Sequence, residues 1–276
     1  MTTLSPAQVA QYHQHGYCAP IDIMSEADAA ELHSELERCE TDYPEHIHAQ
    51  KRNNTHHLFK FMDQIAFHDK IVGAVQDLLG PDLLLYGSVL FIKEPQSSGY
   101  VSWHQDATYM GLDAHDDFLT PWLALTPSNP TNGCMSVIPG THKDAIRQHE
   151  DTFEDDNILT RGQRVENVNE DDAVDISLRP GQMSIHHPRL IHGSRPNRSD
   201  RRRIGVALQA YIKPSVRQTI GEGYALHISG NDPYQNFTLA QRPLEDATPQ
   251  AVAWREKVEQ DWSTILYHGA KKVRSY

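Results

Sequence analysis

Two histidines and one aspartate in this sequence have the types and spacing of ligands for a single metal ion. His104 and Asp106 are separated by one residue, and His192 follows much later in the chain. On an extended strand, residues two apart point to the same face, so His104 and Asp106 can bind one ion together, and a histidine from a later strand completes the set. Two neutral imidazoles and one carboxylate on one side of an ion leave three open positions, which suits non-haem Fe(II) and oxygen chemistry.

Ser194 and Arg203 extend this hypothesis to an organic ligand of the metal. A 2-oxo acid would occupy two of the open positions and leave the third for dioxygen. The far carboxylate of the acid then needs a planar cation with a hydroxyl beside it, and Arg203 with Ser194 can form such a hydrogen-bonded clamp. The residue types alone therefore account for each open position.

Other interpretations of these residues remain open at this point. The chain contains 17 histidines, so a chance match to the triad is easy to find. His142, His186 and His187 are competing ligand candidates. Histidine and aspartate do not by themselves select iron, so a zinc or manganese hydrolase is one alternative. A metal-binding protein without catalytic activity is the other.

Composition and charge narrow the class of protein. A chain of 276 residues is within the reach of one large barrel or sandwich domain. Its formal net charge of -12 disfavours binding to nucleic acid or to an anionic membrane. No stretch approaches the roughly 18 apolar residues of a membrane helix, and the N-terminus lacks the pattern of a signal peptide. We therefore expect a cytoplasmic protein with a small-molecule substrate; the sequence does not indicate its oligomeric state.

The three cysteines do not suggest a structural or metal-binding role. Cys18, Cys39 and Cys134 are odd in number and far apart, and they contain no CxxC pair. This spacing argues against a disulfide framework and against a thiolate zinc site. We expect buried thiols.

Helices are expected at both ends of the chain. Residues 1–80 should be mainly helical, with Ser5 and Ser25 as N-caps of the first two helices. A third helix is expected at 65–79, where Gly80 and Pro81 stop it. A C-terminal helical segment at about 249–268 should pack on the outside of the sheet.

Between these helices the sequence alternates as short strands with turn signals. Strands are expected at 83–93, 122–126, 135–138, 174–178, 182–186 and 203–212. This pattern predicts a mainly β protein with flanking helices, in which a jelly roll at about 83–213 forms the core of a single domain over 1–276. The acidic segment Asp144–Asp172 is expected to be a surface excursion, with a mobile lid as the alternative.

The order of the motifs resembles the phytanoyl-CoA dioxygenase family. The matching stretches are Trp103–Asp106, Trp122–Leu125, Asn132–His142, Arg179–Gln182 and His192–Ser194 with Arg203. The resemblance implies a double-stranded β-helix, the cupin-like form of the jelly roll. It also implies Fe(II) held by His104, Asp106 and His192, and 2-oxoglutarate held by Arg203, Ser194 and Trp122.

The resemblance further implies a reaction. Family members use O2 to couple the decarboxylation of 2-oxoglutarate to the hydroxylation of a substrate C–H bond. Halogenating relatives carry a small residue where this chain has Asp106, so hydroxylation is expected here. In this picture His142 is a structural residue that orders the turn after a strand.

The substrate is the least determined feature. A chain of this length is typical of the smaller microbial metabolic members of the family, which favours a small polar metabolite over an acyl-CoA. An amino acid, an aminophosphonate or a natural-product intermediate fits this description. The candidate substrate contacts are Tyr109, Asn54, His56 and Lys93, although the polar stretch around residues 53–57 and Lys93 can equally be solvated.

Overall fold

The structure, a computed structural model of the chain, describes residues 2–273. In chain order its α-helices are α1 (Pro6–His15), α2 (Glu26–Asp42), α3 (Pro44–Ile47), α4 (Lys60–Ala66), α5 (Asp69–Leu79) and α6 (Pro249–Leu266). Within residues 2–273, none of these helices has both the length and the apolar character needed to cross a lipid bilayer.

Helices α1 and α2 begin at the two predicted serine caps. The backbone N–H of Gln8 donates to the Ser5 hydroxyl at 3.3 Å, and the backbone N–H of Ser5 donates to the Gln8 side chain at 2.9 Å. Ser25 and Asp28 form the same reciprocal pair. Such capping boxes give partners to N–H groups that the first helical turn leaves free. Both predicted helix starts are confirmed.

The strands form two main sheets and one hairpin. In chain order they are β1 (Tyr17–Asp22), β2 (Leu83–Leu85), β3 (Val89–Lys93), β4 (Val101–His104), β5 (Phe118–Ala124), β6 (Met135–Val137), β7 (His149–Asp151), β8 (Gln163–Val165), β9 (Val174–Ile176), β10 (Gln182–His186), β11 (His192–Ser194), β12 (Arg203–Ala207), β13 (Tyr211–Ile212), β14 (Tyr224–Ser229) and β15 (Thr238–Leu239). The larger sheet has the order β1-β10-β5-β13-β2-β14-β15, and β12 pairs with both β5 and β3. The smaller sheet has the order β4-β11-β6-β9, and β7 pairs with β8.

The two main sheets share a core, and helices α1 to α5 pack on the outer face of the larger sheet. Along β12, Ile204 and Val206 are buried in the main hydrophobic core together with residues of the helices. Ala207 instead packs in a separate cluster with Met135 and Val137 of the smaller sheet. Since side chains alternate along a strand, β12 contributes to both layers. The predicted jelly roll with flanking helices is confirmed.

Several boundaries differ from the prediction. The expected strand at 83–93 is interrupted between β2 and β3, and the one at 203–212 is interrupted between β12 and β13. The two interruptions face each other, because the backbone N–H of Gln209 donates to the carbonyl of Gly87. In addition, β14 pairs with β2 although it lies beyond the predicted end of the core near residue 213.

The acidic segment 144–172 is more than the expected surface excursion. It contains the β7–β8 hairpin and is attached to the strand that ends at His104. The Asn157 side chain donates to the hydroxyl of Ser102 at 2.9 Å, and the backbone N–H of Arg147 donates to the Gln105 side chain at 2.8 Å. The segment therefore forms a wall beside β4.

Two glycines near the smaller sheet provide a matched test of how closely neighbouring chain segments pack there. Both have a left-handed backbone, with φ of 72° at Gly133 and 85° at Gly140. A Cβ at Gly133 would lie 2.1 Å from the carbonyl oxygen of Arg195, whereas a Cβ at Gly140 would meet nothing within 4 Å. We expect Gly140→Ala to lower the free energy of unfolding by about 1 kcal/mol through backbone strain alone. Gly133→Ala should lower it by about 3 kcal/mol or more, because a steric clash is added.

Denaturant unfolding of the two variants measures the difference. Equal losses of stability would contradict the close approach of the two chain segments at Gly133.

Candidate metal centre and adjoining cavities

The structure brings the three predicted metal ligands together. His192 lies opposite His104 in the antiparallel pair of β11 and β4, and Asp106 begins the turn that follows β4. Nε2 of His104 is 3.3 Å from Oδ1 of Asp106, and Nε2 of His192 is 3.7 Å from the same oxygen. All three side chains are buried. No other group of three His, Cys, Asp or Glu residues within 2–273 places its ligand atoms within such a short distance.

Backbone carbonyls set the orientation of both imidazoles. Nδ1 of His104 is 2.8 Å from the carbonyl oxygen of Ser102, and Nδ1 of His192 is 3.0 Å from that of Leu190. A carbonyl only accepts, so each Nδ1 carries the proton and each Nε2 presents a lone pair. Burial lowers the pKa of His192 well below its usual value, which favours the neutral ring.

This donor set fits a divalent metal ion. When both imidazole rings are neutral, their Nε2 atoms face a carboxylate oxygen of Asp106 with no proton between them. The lone pairs of these nitrogen and oxygen atoms then repel each other in a buried site. A cation placed among the three atoms satisfies all of them at once. Two imidazoles and one carboxylate, with the remaining side open to a cavity, are a donor set that suits Fe(II).

Three further side chains hold the Asp106 carboxylate in place. The Tyr109 hydroxyl donates to Oδ1 at 2.6 Å, and the Thr120 hydroxyl donates to Oδ2 at 3.3 Å. Nε2 of His186 lies 3.2 Å from Oδ2. Burial, and then the neighbouring carboxylate, raise the pKa of Tyr109 well above its usual value, so the phenol stays protonated and remains a donor.

The competing histidines occupy other positions. His186, at the end of β10, is a hydrogen-bond partner of Asp106 and does not belong to the group formed by His104, Asp106 and His192. His187 contacts the Asp116 carboxylate at 3.0 Å, and His142 contacts the carbonyl oxygen of His13 at 3.2 Å. The structure does not bring His142 or His187 to the triad.

A cavity beside the triad contains the three residues predicted for the co-substrate. Arg203, Ser194 and Trp122 line it together with the triad. The guanidinium of Arg203 lies 5.4 Å from the centre of the Trp122 ring. Its Nη1 donates to the carbonyl of Phe91 at 3.4 Å, and its Nε has no hydrogen-bond partner.

No carboxylate in the described part of the chain balances the charge of Arg203. The residue is 2 % exposed, and no carboxylate within residues 2–273 forms an ion pair with it. Burial lowers the pKa of Arg203 to about 10, so the guanidinium still carries its charge at neutral pH. A buried cation without an anion is unfavourable by itself, and a carboxylate from a bound molecule fits this position.

Three of the four predicted substrate contacts do not line the cavities beside the triad. Asn54 and His56 are buried against Ser88, whose hydroxyl is 2.7 Å from Nδ1 of His56, so they do not line the cavities beside the triad. Lys93 is buried with its Nζ 2.7 Å from the Ser194 hydroxyl, on the side of Arg203. The structure therefore does not bring Asn54, His56 or Lys93 to the lining of either cavity beside the triad. Tyr109 does line the cavities.

A second cavity of about 280 Å³ adjoins the first. Phe91, Tyr109 and Gln209 line both. The other residues around the second cavity come from the segment after α3, from β3, from the 144–172 wall and from α6, and include Arg52, Asn53, Ile92, Asn157, Leu159, Gln163, Trp262 and Leu266.

Sequence reasoning did not identify most of this cavity. The position of Gln209 could have been predicted, because it continues the alternation that places Arg203 on the inner face of the sheet. The position of Trp262 could not. A helix that packs on the outside of the sheet, as was expected of α6, has the same pattern of apolar residues as one that lines a cavity. In the structure Trp262 and Leu266 of α6 help to close the cavity.

A jelly roll with two histidines and an aspartate at an internal cavity defines a class of metal-dependent oxygenases. Residues 12–205, more than half of the chain, match the family model of phytanoyl-CoA dioxygenase (PhyH). This chain therefore belongs to the phytanoyl-CoA dioxygenase family, as its motifs predicted.

Individual relatives agree with this assignment. The chain is 32% identical over 152 residues to the Stutzerimonas stutzeri protein named "Probable alpha-ketoglutarate-dependent hypophosphite dioxygenase". It is 24% identical over 219 residues to peroxisomal phytanoyl-CoA dioxygenase of Bos taurus. These alignments cover 54% and 71% of this chain but only 52% and 65% of the two relatives.

Solved structures match over a larger share of the chain. The non-heme monooxygenase ThoJ in its apo form is 30% identical, with a TM-score of 0.84, and the match covers 95% of this chain and 98% of ThoJ. A structure of CytC3 with Fe(II) and alpha-ketoglutarate has a TM-score of 0.69 at 23% identity, which supports the fold alone.

Replacing one ligand should remove the metal, whereas replacing a histidine outside the triad should not. We expect His104→Ala to reduce Fe(II) bound under anaerobic conditions from about one ion per chain to nearly none, because the site loses one of three ligands. His142→Ala is the matched control, since it removes an equally buried imidazole. Elemental analysis after desalting measures both variants. Metal retained by His104→Ala and lost by His142→Ala would show that the wrong histidines were assigned.

Proposed function

We propose that this chain is a non-haem Fe(II)- and 2-oxoglutarate-dependent dioxygenase that hydroxylates a C–H bond of a small polar metabolite. The observation that carries the proposal is the buried triad of His104, Asp106 and His192 in one cavity with Arg203, a buried cation that no carboxylate of the described chain neutralises. The residues around both cavities range from position 52 to position 266, so we propose that the chain acts as one catalytic domain.

Each residue of the first cavity has a role in this proposal. His104, Asp106 and His192 would hold Fe(II), and Arg203 with the Ser194 hydroxyl would hold the far carboxylate of 2-oxoglutarate. Trp122 packs beside the guanidinium and limits its movement. When bound, the metal and 2-oxoglutarate supply the oxidising power for O2-dependent hydroxylation, with release of succinate and CO2.

The protein contributes placement and the exclusion of water. The triad is almost fully buried, which limits the access of water to a metal ion bound there. Tyr109, Thr120 and His186 fix the Asp106 carboxylate, which keeps one metal position filled by protein. A filled position favours hydroxylation over halogenation.

The second cavity supports the choice of a small substrate. At about 280 Å³ it is near the lower end of small-molecule sites and is smaller than an acyl-CoA would need. Its walls combine amide and phenol groups with apolar side chains, which suits a metabolite with polar groups. The relative named for hypophosphite is a second indication, since hypophosphite is a very small molecule.

Spectroscopy and turnover test the proposed function directly. Anaerobic addition of Fe(II) and then 2-oxoglutarate should produce the visible charge-transfer band of a chelated 2-oxo acid. With O2 and a panel of amino acids, phosphonates and related metabolites, at least one compound should increase succinate release. A colourless iron complex would contradict the proposal. A coloured complex without succinate across the panel would favour a binding protein, and tightly held zinc with hydrolytic activity would favour a hydrolase.

Neighbouring arginines give a matched test of the co-substrate site. Arg203→Ala removes the buried cation and should weaken 2-oxoglutarate binding by about 2 to 3 kcal/mol, the usual strength of charge-assisted hydrogen bonds. Arg202→Ala is the control, because Arg202 pairs with Glu40 and Glu94 away from the cavity. Titration of the charge-transfer band measures both affinities. A loss in Arg202→Ala alone would show that the clamp was assigned to the wrong arginine.

A further inference from the structure

Lys93 and Arg203 form an unusual pair of buried basic side chains. They lie directly opposite each other on the antiparallel strands β3 and β12. Their exposed fractions are 1 % and 2 %, and no carboxylate within residues 2–273 forms an ion pair with either. Like charges opposite each other destabilise a sheet, and an unpaired buried charge adds a further cost. With both groups charged, the pair is unfavourable unless an anion lies beside it.

The contacts of Lys93 orient Ser194. Nζ of Lys93 lies 2.7 Å from Oγ of Ser194, and it also donates to the carbonyl of Arg195. An ammonium has protons to donate and no lone pair to accept with. Opposite a charged Lys93, the serine oxygen must therefore accept, and its own proton is left to donate to another group. Ser194 and Arg203 line the same cavity, so that proton is available to a ligand there.

We propose that Lys93 is a positioning residue of the co-substrate site, which turns the Ser194 hydroxyl toward the far carboxylate of 2-oxoglutarate and adds a second positive charge beside Arg203. This inference rests on the proposed function. It assigns to Lys93 a preference for 2-oxo acids that carry a second carboxylate over those that end in an alkyl group. The lysine acts through the serine and the local charge, without lining the cavity itself.

The electrostatic environment supports this role. Without an anion in the cavity, burial and then the neighbouring Arg203 lower the pKa of Lys93 to about 6. A carboxylate beside the pair acts in the opposite direction, because it stabilises the ammonium. The charged form of Lys93 and the bound carboxylate therefore favour each other.

Two ligands that differ only in the far carboxylate test the proposal. We would measure by calorimetry the binding of 2-oxoglutarate and of 2-oxobutyrate to protein loaded with Ni(II), which supports no turnover. Lys93→Met should weaken 2-oxoglutarate binding roughly tenfold, the lower range for one charge-assisted interaction. The affinity for 2-oxobutyrate should change by less than about twofold, since this acid has no group for the clamp.

A double-mutant cycle tests whether the lysine acts through Ser194. In a Ser194→Ala background, Lys93→Met should have a clearly smaller effect on 2-oxoglutarate binding than in the original chain. Lys213→Met, which removes a partly exposed lysine paired with Asp117, is the control and should bind both acids normally.

Stability separates this role from a purely structural one. Lys93→Met replaces a buried amine, whose charge is disfavoured while no anion is bound, by an apolar side chain of similar size, so it should unfold at the same or a higher denaturant concentration while binding 2-oxoglutarate less well. Lys93→Gln serves as a second neutral variant if the methionine variant does not fold. Unchanged 2-oxoglutarate affinity, equal losses for both acids, or fully additive effects with Ser194→Ala would overturn the role of Lys93. If the unmodified protein with Ni(II) does not bind 2-oxoglutarate, the proposed function itself fails.

Discussion

The pairing of β4 with β11 is the constraint on which the rest of the site depends. It places His192 opposite His104, and the turn after β4 then brings Asp106 to the same point. A shift of this register by one residue would turn one imidazole to the other face of the sheet. The carbonyl of Ser102, within β4, and that of Leu190, just before β11, orient the two rings. The register therefore sets the relative position of the two imidazoles, and the carbonyl two residues before each histidine sets its tautomer.

The side of the first cavity that contains Arg203 is organised at the expense of local stability. Arg203 and Lys93 are buried without carboxylate partners in the described chain, and the apolar layer under the helices offsets this cost. Gly205 shows how closely the site is packed, because a Cβ there would lie 1.9 Å from the Trp122 ring. The indole occupies the space above that glycine and lies next to the guanidinium. A small residue on β12 is thus a condition for the position of Trp122.

The sequence was sufficient for the fold class, for the helix caps and for the order of the motifs, because each depends on local spacing. Residue types and spacing alone, without the family resemblance, could not separate His186 from the triad, since the register of β10 against its neighbours decides which imidazole faces a metal and which contacts Asp106. The contact between Lys93 and Ser194 could not be predicted from the sequence either. Alternation gives the face of a strand, but the partner of this lysine, Ser194, is far away in sequence. The burial of His56 was equally unpredictable, because its polar sequence neighbours suggest a solvated loop whereas the fold packs the ring against Ser88.

The second cavity and the candidate metal centre are physically coupled through Tyr109. Its hydroxyl donates to Asp106, and its ring lines both cavities. A substrate in the second cavity would therefore contact a residue that holds a metal ligand in place. The walls of that cavity come from distant segments, with Asn157 from the acidic segment and Trp262 from α6. Since these segments differ from the strands that carry the triad, the substrate side can vary while the metal register stays fixed, and this separation explains why the motifs define the reaction class without defining the substrate.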